Sequence, residues 1–267
     1  MSKVVLITGG SSGIGKSIGE FLSQKGYTVY GTSRSPERYP DSKIKLVALD
    51  VADVISVEKA IETVAIEAGQ IDVVVNNAGA GITGPIEDIP NEEIKRNFET
   101  NLFGPINVIK AVLPQMRKQN SGLIINITSI AGYMGLPYRG IYSASKGALE
   151  LITEAFRMEI KDFNIHMTNI APGDFATNIA AGRFHAPVIK GSPYEEKYVQ
   201  VLKAIDADVD SGDDPIMVSH MIYKVINTPN PRIHYKVGAF MQKFSIVLKR
   251  ILPDKVYEKM LLNHYKL

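Results

Sequence analysis

Cysteine is missing from all 267 residues. That excludes disulfides, thiolate nucleophiles and cysteine-ligated metals, and it leaves the redox compartment open. The five histidines are scattered, none at ligand spacing with another or with a carboxylate pair, so no metal site is expected. Charges nearly cancel: 30 Lys and Arg against 28 Asp and Glu leave a net +2, too little to argue for nucleic acid. No apolar run is long enough for a bilayer span. The run at Val4–Thr8 is too short for a signal-peptide core and leads straight into Gly9-Gly10, so a cytoplasmic enzyme is expected. Low-complexity tracts, fixed-period repeats and Pro- or Gly-rich linkers are absent too, and 1–267 reads as a single domain.

What recurs is a short apolar run followed by a helical pattern. The runs are Lys3–Thr8, Thr28–Thr32, Ile44–Leu49, Ile71–Asn76, Leu123–Thr128, His166–Ala171 and Ile233–Val237. Most are β-branched and apolar along their whole length, as strands buried on both faces are. Between them, Ile14, Ile18, Phe21, Leu22 and Lys25 keep helical spacing, as do Val54, Val57, Ile61, Val64 and Ile66 behind an N-cap at Asp53. Leu149, Ile152, Phe156 and Ile160 share a third helical face. This alternation predicts an α/β fold: a doubly wound, Rossmann-type, mostly parallel seven-stranded sheet with helices on both faces. Residues 175–211 fit the repeat poorly and are expected to form a substrate-loop insertion; 239–267 should be a C-terminal helical extension.

The first strand ends in Thr8-Gly-Gly-Ser-Ser-Gly13-Ile-Gly15, and an amphipathic helix follows at once. A glycine at the strand exit allows the tight turn, Gly13 lets the backbone approach a pyrophosphate, and Gly15 lets the helix pack close to the sheet. The helix N-terminus then offers free N–H groups and the positive end of its dipole to the phosphates. A glycine-rich turn alone would be weak evidence; strand before and helix behind make it a phosphate loop.

The spacing T-G-x-x-x-G-x-G resembles that of the short-chain dehydrogenase/reductase family, and further matches follow in order. Asn76-Asn-Ala-Gly79 ends the fourth strand, Asn101 lies on the next helix, and Ser129 ends the fifth strand. Tyr142-Ser-Ala-Ser-Lys146 opens the following helix, and Pro172-Gly173 with Thr177 follows the sixth strand. The resemblance reaches to about Gly238, and the tail is similar to that of hydroxysteroid and retinol dehydrogenase-like members. It implies an oxidoreductase that moves hydride between NADP(H) or NAD(H) and an alcohol/carbonyl pair.

Tyr142 and Lys146 are four apart, on one face of a helix. A phenol is a poor base at neutral pH, and a nearby ammonium favours its ionised form. The resemblance makes Tyr142 the general acid/base and Lys146 the residue that lowers its pKa and bonds the nicotinamide ribose. Ser129, at the C-terminal edge of the sheet where ligands bind in open α/β folds, would hold the substrate oxygen. For Asn101 the resemblance implies a water that links Lys146 to solvent; a helix bend or cap is the other reading. All four positions match, so the catalytic set is Asn101, Ser129, Tyr142 and Lys146.

For the cofactor, the expected loop contacts are Gly9, Ser11, Ser12, Gly13, Ile14 and Gly15. An NAD-selective site would place a carboxylate at the end of the second strand. Thr32-Ser33-Arg34 stands there instead. Arg34 can pair with a 2′-phosphate, with Ser33 and Thr32 donating beside it, so NADP(H) is expected over NAD(H). A solvated loop cation is the alternative for Arg34, and the glycine loop carries serines where many NADP-using members have a second basic residue. Asp50 and Val51 resemble the pair at the adenine ring. Asn77, Ala78 and Gly79 resemble the segment along the adenosine ribose, and Pro172, Gly173 and Thr177 resemble the nicotinamide flank.

The substrate-side candidates are Tyr133, Met134, Leu136, Phe175, Phe184, Pro187 and Tyr194, an apolar set suited to a small hydrophobic alcohol or ketone. Beyond Gly238, Phe240, Met241, Phe244, Val247, Leu248 and Ile251 share a helical face. That face is expected to pack on the domain, over the pocket or at a subunit contact, with membrane-surface binding as the alternative. The resemblance further implies a homodimer or homotetramer built through the helices that hold Asn101 and Tyr142. Retention of the complete catalytic set speaks against the main rival, a cofactor-binding redox sensor without turnover.

Overall fold

The computed structural model describes residues 2–175, 183–210 and 212–267, with 206–210 as backbone only. The chain runs β1 (Val4–Ile7), α1 (Gly13–Gln24), β2 (Thr28–Ser33), β3 (Lys45–Ala48), α2 (Val54–Ala68), β4 (Val73–Asn76) and β5 (Ile82–Thr83). It continues with α3 (Asn91–Phe98), α4 (Gly104–Gln119), β6 (Gly122–Ile127), α5 (Gly140–Glu159), β7 (Ile165–Pro172) and β8 (Phe184–His185). Then come α6 (Glu195–Asp210), α7 (Ile216–Ile226), β9 (His234–Val237), α8 (Phe240–Ile251) and α9 (Asp254–Tyr265).

Seven strands form one sheet in the order β3-β2-β1-β4-β6-β7-β9, every pair parallel. Each apolar run read from the sequence overlaps one of these strands. Alternation of side chains in β1 explains why the runs are apolar throughout. Leu6 joins a core of Val74, Ile124 and Met167 with α2 and α4 residues, while Val5 and Ile7 join Val75, Ile125 and Ile170 with residues of α1 and α7. Both faces of β1 are covered, and all four of its residues are apolar.

The strand order reverses between β1 and β4. The loops after their C-terminal ends diverge there and leave a crevice. Thr8 and Asn77 tie its two lips together. The Thr8 hydroxyl accepts from Asn77 N and Ala78 N, both at 3.0 Å, and Asn77 Nδ2 donates to Thr8 O at 2.9 Å.

Helix boundaries follow local chemistry. Asp53 caps α2, its carboxylate accepting from Ile55 N at 2.9 Å and Ser56 N at 3.3 Å. Of the stripe read for that helix, Val57, Ile61 and Val64 are buried, whereas Val54 and Ile66 are exposed. Between α3 and α4 the helix widens into a π-turn at Glu99–Phe103.

In the C-terminal extension, most of the apolar stripe read on α8 does not pack on the domain. Phe240, Met241, Phe244, Val247 and Ile251 lie exposed on α8, and the side that packs is Ile246 with Leu248. The physical reason is that α8 docks by few contacts over the segment after Ser129: Ile246 and Tyr257 of α9 meet Ile130, Met134 and Ala171. Apart from Leu248, the apolar stripe is turned away from the domain. Among the described residues, no helix is long and apolar enough to cross a membrane.

Candidate active site

Five segments converge on the crevice: the start of α1 with Ile14, the loop after β4 with Asn77 and Gly79, the end of β6 through Ser129, α5 with Tyr142 and Lys146, and the turn after β7 with Pro172 and Gly173. Of the expected site residues, Ile14, Asn77, Gly79, Ser129, Tyr142, Lys146, Pro172 and Gly173 line one cleft. Thr177 lies outside the described residues.

The glycine loop forms because a side chain has no room. A Cβ on Gly15 would press against the Gly9 carbonyl oxygen and lie 2.5 Å from Asn77 Nδ2. That close approach lets α1 begin at the crevice floor with its first N–H groups facing outward, which fits a dinucleotide's pyrophosphate. Arg34 is exposed just past β2, and Ser33 is half-buried with its hydroxyl accepting from Ser35 N at 3.2 Å. Thr32 is a correction. It is buried and its hydroxyl accepts from Gly9 N at 3.2 Å, so it braces the glycine loop instead of reaching outward toward a 2′-phosphate. Asp50 Oδ1 accepts from Ala52 N at 3.0 Å, and Val51 packs beneath Gly104.

Ser129 caps a short helical turn, Ile130–Tyr133, its hydroxyl accepting from Ala131 N at 3.2 Å. Lys146 is buried and donates to Ile127 O at 3.0 Å. Burial pushes its pKa down to about 8, with the nearby Glu150 carboxylate opposing that displacement. Tyr142 lies one turn earlier, half-buried in the same cleft.

Asn101 sits inside the π-turn and is fully buried. Its Oδ1 accepts from Ala80 N at 2.8 Å; its Nδ2 faces Ala80 O at 2.9 Å, Ser145 Oγ at 3.1 Å and Asn97 Oδ1 at 3.2 Å. A Cβ on Gly79 would stand 3.2 Å from Asn101 Oδ1 and 3.3 Å from Lys146 Nζ, so that glycine is what lets the two side chains come near each other. The π-turn delivers the Asn101 side chain to the Lys146 neighbourhood.

Two groups of residues escaped the sequence reading. Arg139 and Asp174 also line the cleft. Their ion pair spans 3.8 Å, and the Arg139 guanidinium lies 5.6 Å from the Tyr142 ring centre. A charge directly after Pro172-Gly173 was the available signal. Behind Lys146, Glu150 accepts from Thr128, from Tyr133 at 3.0 Å and from Asn169 at 2.9 Å. His234 of β9 sets one ring nitrogen 2.6 Å from Glu150 and the other 3.0 Å from Glu154. Burial and the Glu150 charge together push the Tyr133 phenol far up.

Of the seven apolar substrate candidates, only Phe175 lines the cleft. Tyr133, Met134 and Leu136 pack against the α8–α9 extension, Phe184 and Tyr194 join a cluster around Ile82 and Tyr198, and Pro187 is exposed. The segment after Ser129 is covered by the extension, which takes it away from the opening.

A profile described as short chain dehydrogenase matches residues 3–187. The chain is 40% identical over 257 residues to a 3-ketodihydrosphingosine reductase of Bacteroides thetaiotaomicron, covering 96% of this chain and 95% of that one. It is 30% identical over 278 residues to an NADPH-dependent 3-dehydrocapnine reductase of Ornithobacterium rhinotracheale, covering 99% and 98%. A solved short-chain dehydrogenase from Streptomyces avermitilis superposes with a TM-score of 0.84 at 29% identity, over 100% of this chain and 97% of that one. These matches show that the chain belongs to the short chain dehydrogenase family.

Proposed function

We propose that this protein is an NADPH-dependent reductase that converts a ketone on an apolar chain into a secondary alcohol, with Tyr142 as the proton donor. The observation that carries the reading is the meeting of Ser129, Tyr142 and Lys146 in the cleft that the glycine loop opens into. The name of the 3-ketodihydrosphingosine reductase supports a ketone on an apolar chain as the substrate, and that of the NADPH-dependent 3-dehydrocapnine reductase supports NADPH as the cofactor. The exposed Arg34, with no carboxylate at the end of β2, supports the 2′-phosphate.

Gly9, Ser11, Ser12, Gly13, Ile14 and Gly15 would hold the pyrophosphate, Asp50 and Val51 the adenine, and Asn77 to Gly79 the adenosine ribose. Lys146 would reach the second ribose, and Pro172 and Gly173 would flank the nicotinamide, with Thr177 assigned there by resemblance. Held by these residues, the reduced cofactor would supply the hydride for the carbonyl carbon. Ser129 donates a hydrogen bond to the carbonyl oxygen and holds it beside Tyr142. The Tyr142 hydroxyl gives its proton to that oxygen as negative charge develops there. The Lys146 ammonium stabilises the phenolate left behind, and Asn101 orders the polar surroundings through which the proton is replaced. A homodimer or homotetramer through α4 and α5 belongs to the same reading, supported by the exposed Leu151 and Met158 on α5.

The test is a panel of long-chain ketones and their alcohols with NADPH and NADH, followed by cofactor absorbance. Tyr142→Phe should lower kcat by about a thousandfold while leaving the cofactor dissociation constant unchanged. A chain that binds NADPH yet turns over no carbonyl would be a sensor instead of an enzyme.

A further inference from the structure

We propose that His234 is a positioning residue for the reduction: its ring keeps Glu150 an ionised carboxylate, and Glu150 in turn supports the Lys146 ammonium beside Tyr142. The role rests on the ketone-reductase reading and adds to it a residue that lies outside the cleft.

Glu150 stands where a lone carboxylate would not stay ionised. It follows Lys146 by one turn of α5, on the same face, and its side chain is only 7% exposed. A buried anion persists where donors surround it. Four do so here. Thr128 donates to Oε1, while Tyr133 at 3.0 Å, Asn169 at 2.9 Å and His234 at 2.6 Å all meet Oε2. Three of these belong to β7 or to the segment that follows β6, next to the cleft. His234 opens β9, 84 residues beyond Glu150, and ties the edge strand of the sheet to the catalytic helix.

The two sides of the ring differ. Nδ1 faces Glu150, and Nε2 faces Glu154 Oε1 at 3.0 Å, on a side chain 45% exposed. An ionised carboxylate has no proton to give, so Nδ1 carries the N–H. A proton gained or lost by the ring then comes and goes at Nε2, toward solvent, and the bond to Glu150 is kept in both states. The other charged or titratable groups at this spot are Tyr133, whose ring centre is 6.3 Å from that of His234, Lys236 of β9, 5.2 Å from the Tyr133 ring centre, and Arg250 of α8.

Loss of the Nδ1 donor makes Glu150 easier to protonate, and a neutral Glu150 no longer favours the charged Lys146. Charge alone has the opposite sign: a cation removed from beside Glu150 would leave its negative charge freer to hold the Lys146 proton. The direction of the effect therefore separates the two.

The experiment follows kcat of the full-length enzyme against pH, with NADPH and a saturating long-chain ketone. His234→Leu should move the falling limb to lower pH by about half a unit or more. His234→Asn, which keeps an amide donor where Nδ1 stood, should restore most of the wild-type profile. In a Glu150→Gln background, His234→Leu should move the limb no further. In the wild type, nitrogen NMR of the His234 ring should find the proton on Nδ1, a readout that needs no variant to fold. A limb that stays or rises in His234→Leu overturns the role, as does an Nδ1 without a proton. A uniform drop in kcat with the limb in place would make His234 a structural residue only. A wild type that turns over ketone with no falling limb removes the charged-Lys146 reading, and this role with it.

Discussion

Lys146 is a cation held in a place that resists cations. Buried on α5, it finds a backbone carbonyl at 3.0 Å and a carboxylate one helical turn on, at Glu150. Burial outweighs both, so its proton leaves near pH 8 instead of 10.5. The sign of the consequence is fixed. Below that pH Lys146 is charged and supports the Tyr142 phenolate; as pH rises through about 8 the charge is lost, and kcat for ketone reduction should fall with it. Glu150→Gln removes the carboxylate that holds the proton on, so the falling limb should move to lower pH in a folded variant. Stability runs the opposite way. The unfolded chain keeps this proton up to about 10.5, so stability should rise between pH 8 and 10.5 as the buried charge is relieved. A pH–rate profile of both enzymes checks the first claim, and a falling limb that does not move in the variant would contradict the role given to Glu150. Tyr142, Lys146 and Ser129 were legible because spacing on one helix and a strand end position them. Arg139 and Asp174 were not, since their meeting depends on a loop and on α8, 68 residues beyond Asp174.

At the scale of elements, the π-turn at Glu99–Phe103 does what an ordinary helix could not. The extra residue in the turn rotates Asn101 inward, and its amide closes the backbone of Ala80 through both N–H and C=O. Helical periodicity in the sequence predicts one helix there; it carries no sign of the widening, because a single inserted residue barely alters the apolar pattern. Asn101→Ala would leave the half-buried Ala80 N–H without this acceptor and deprive Ser145 of a partner. The expected loss is about 2–4 kcal/mol of unfolding free energy in urea. Activity should fall as well, since Gly79 admits Asn101 and Lys146 to one spot. A variant of unchanged stability would mean that water replaces the amide in full. The α8 stripe teaches a related lesson. Amphipathic spacing reveals that a helix has an apolar face, but which side meets the domain is decided by the docking contacts, here Ile246 and Leu248.

For the whole molecule, the order β3-β2-β1-β4-β6-β7-β9 matters more than any one contact. The sheet diverges on either side of the β1–β4 boundary, so chain segments far apart in sequence deliver their loops to one edge. That architecture was legible almost completely, because a strand buried on both faces advertises itself by composition and the right-handed crossover rule leaves few topologies. It also makes stability depend on the cofactor. A ligand that bridges loops from both halves binds the folded chain alone, and its binding energy is added to the folding energy. At one hundred times the dissociation constant this is about 2.7 kcal/mol, or about 5 °C in Tm for a chain of this size. If Arg34 meets the 2′-phosphate, NADPH should raise Tm more than NADH does at equal concentration. Removal of a charge-assisted contact costs about 1.5–3 kcal/mol, so Arg34→Ala should weaken NADPH binding by roughly 10- to 100-fold and leave NADH where it was. The two cofactors would then give matching shifts in the variant. Equal shifts already in the wild type would place Arg34 in solvent, as an ordinary loop cation, and return the choice of cofactor to the residues of the glycine loop.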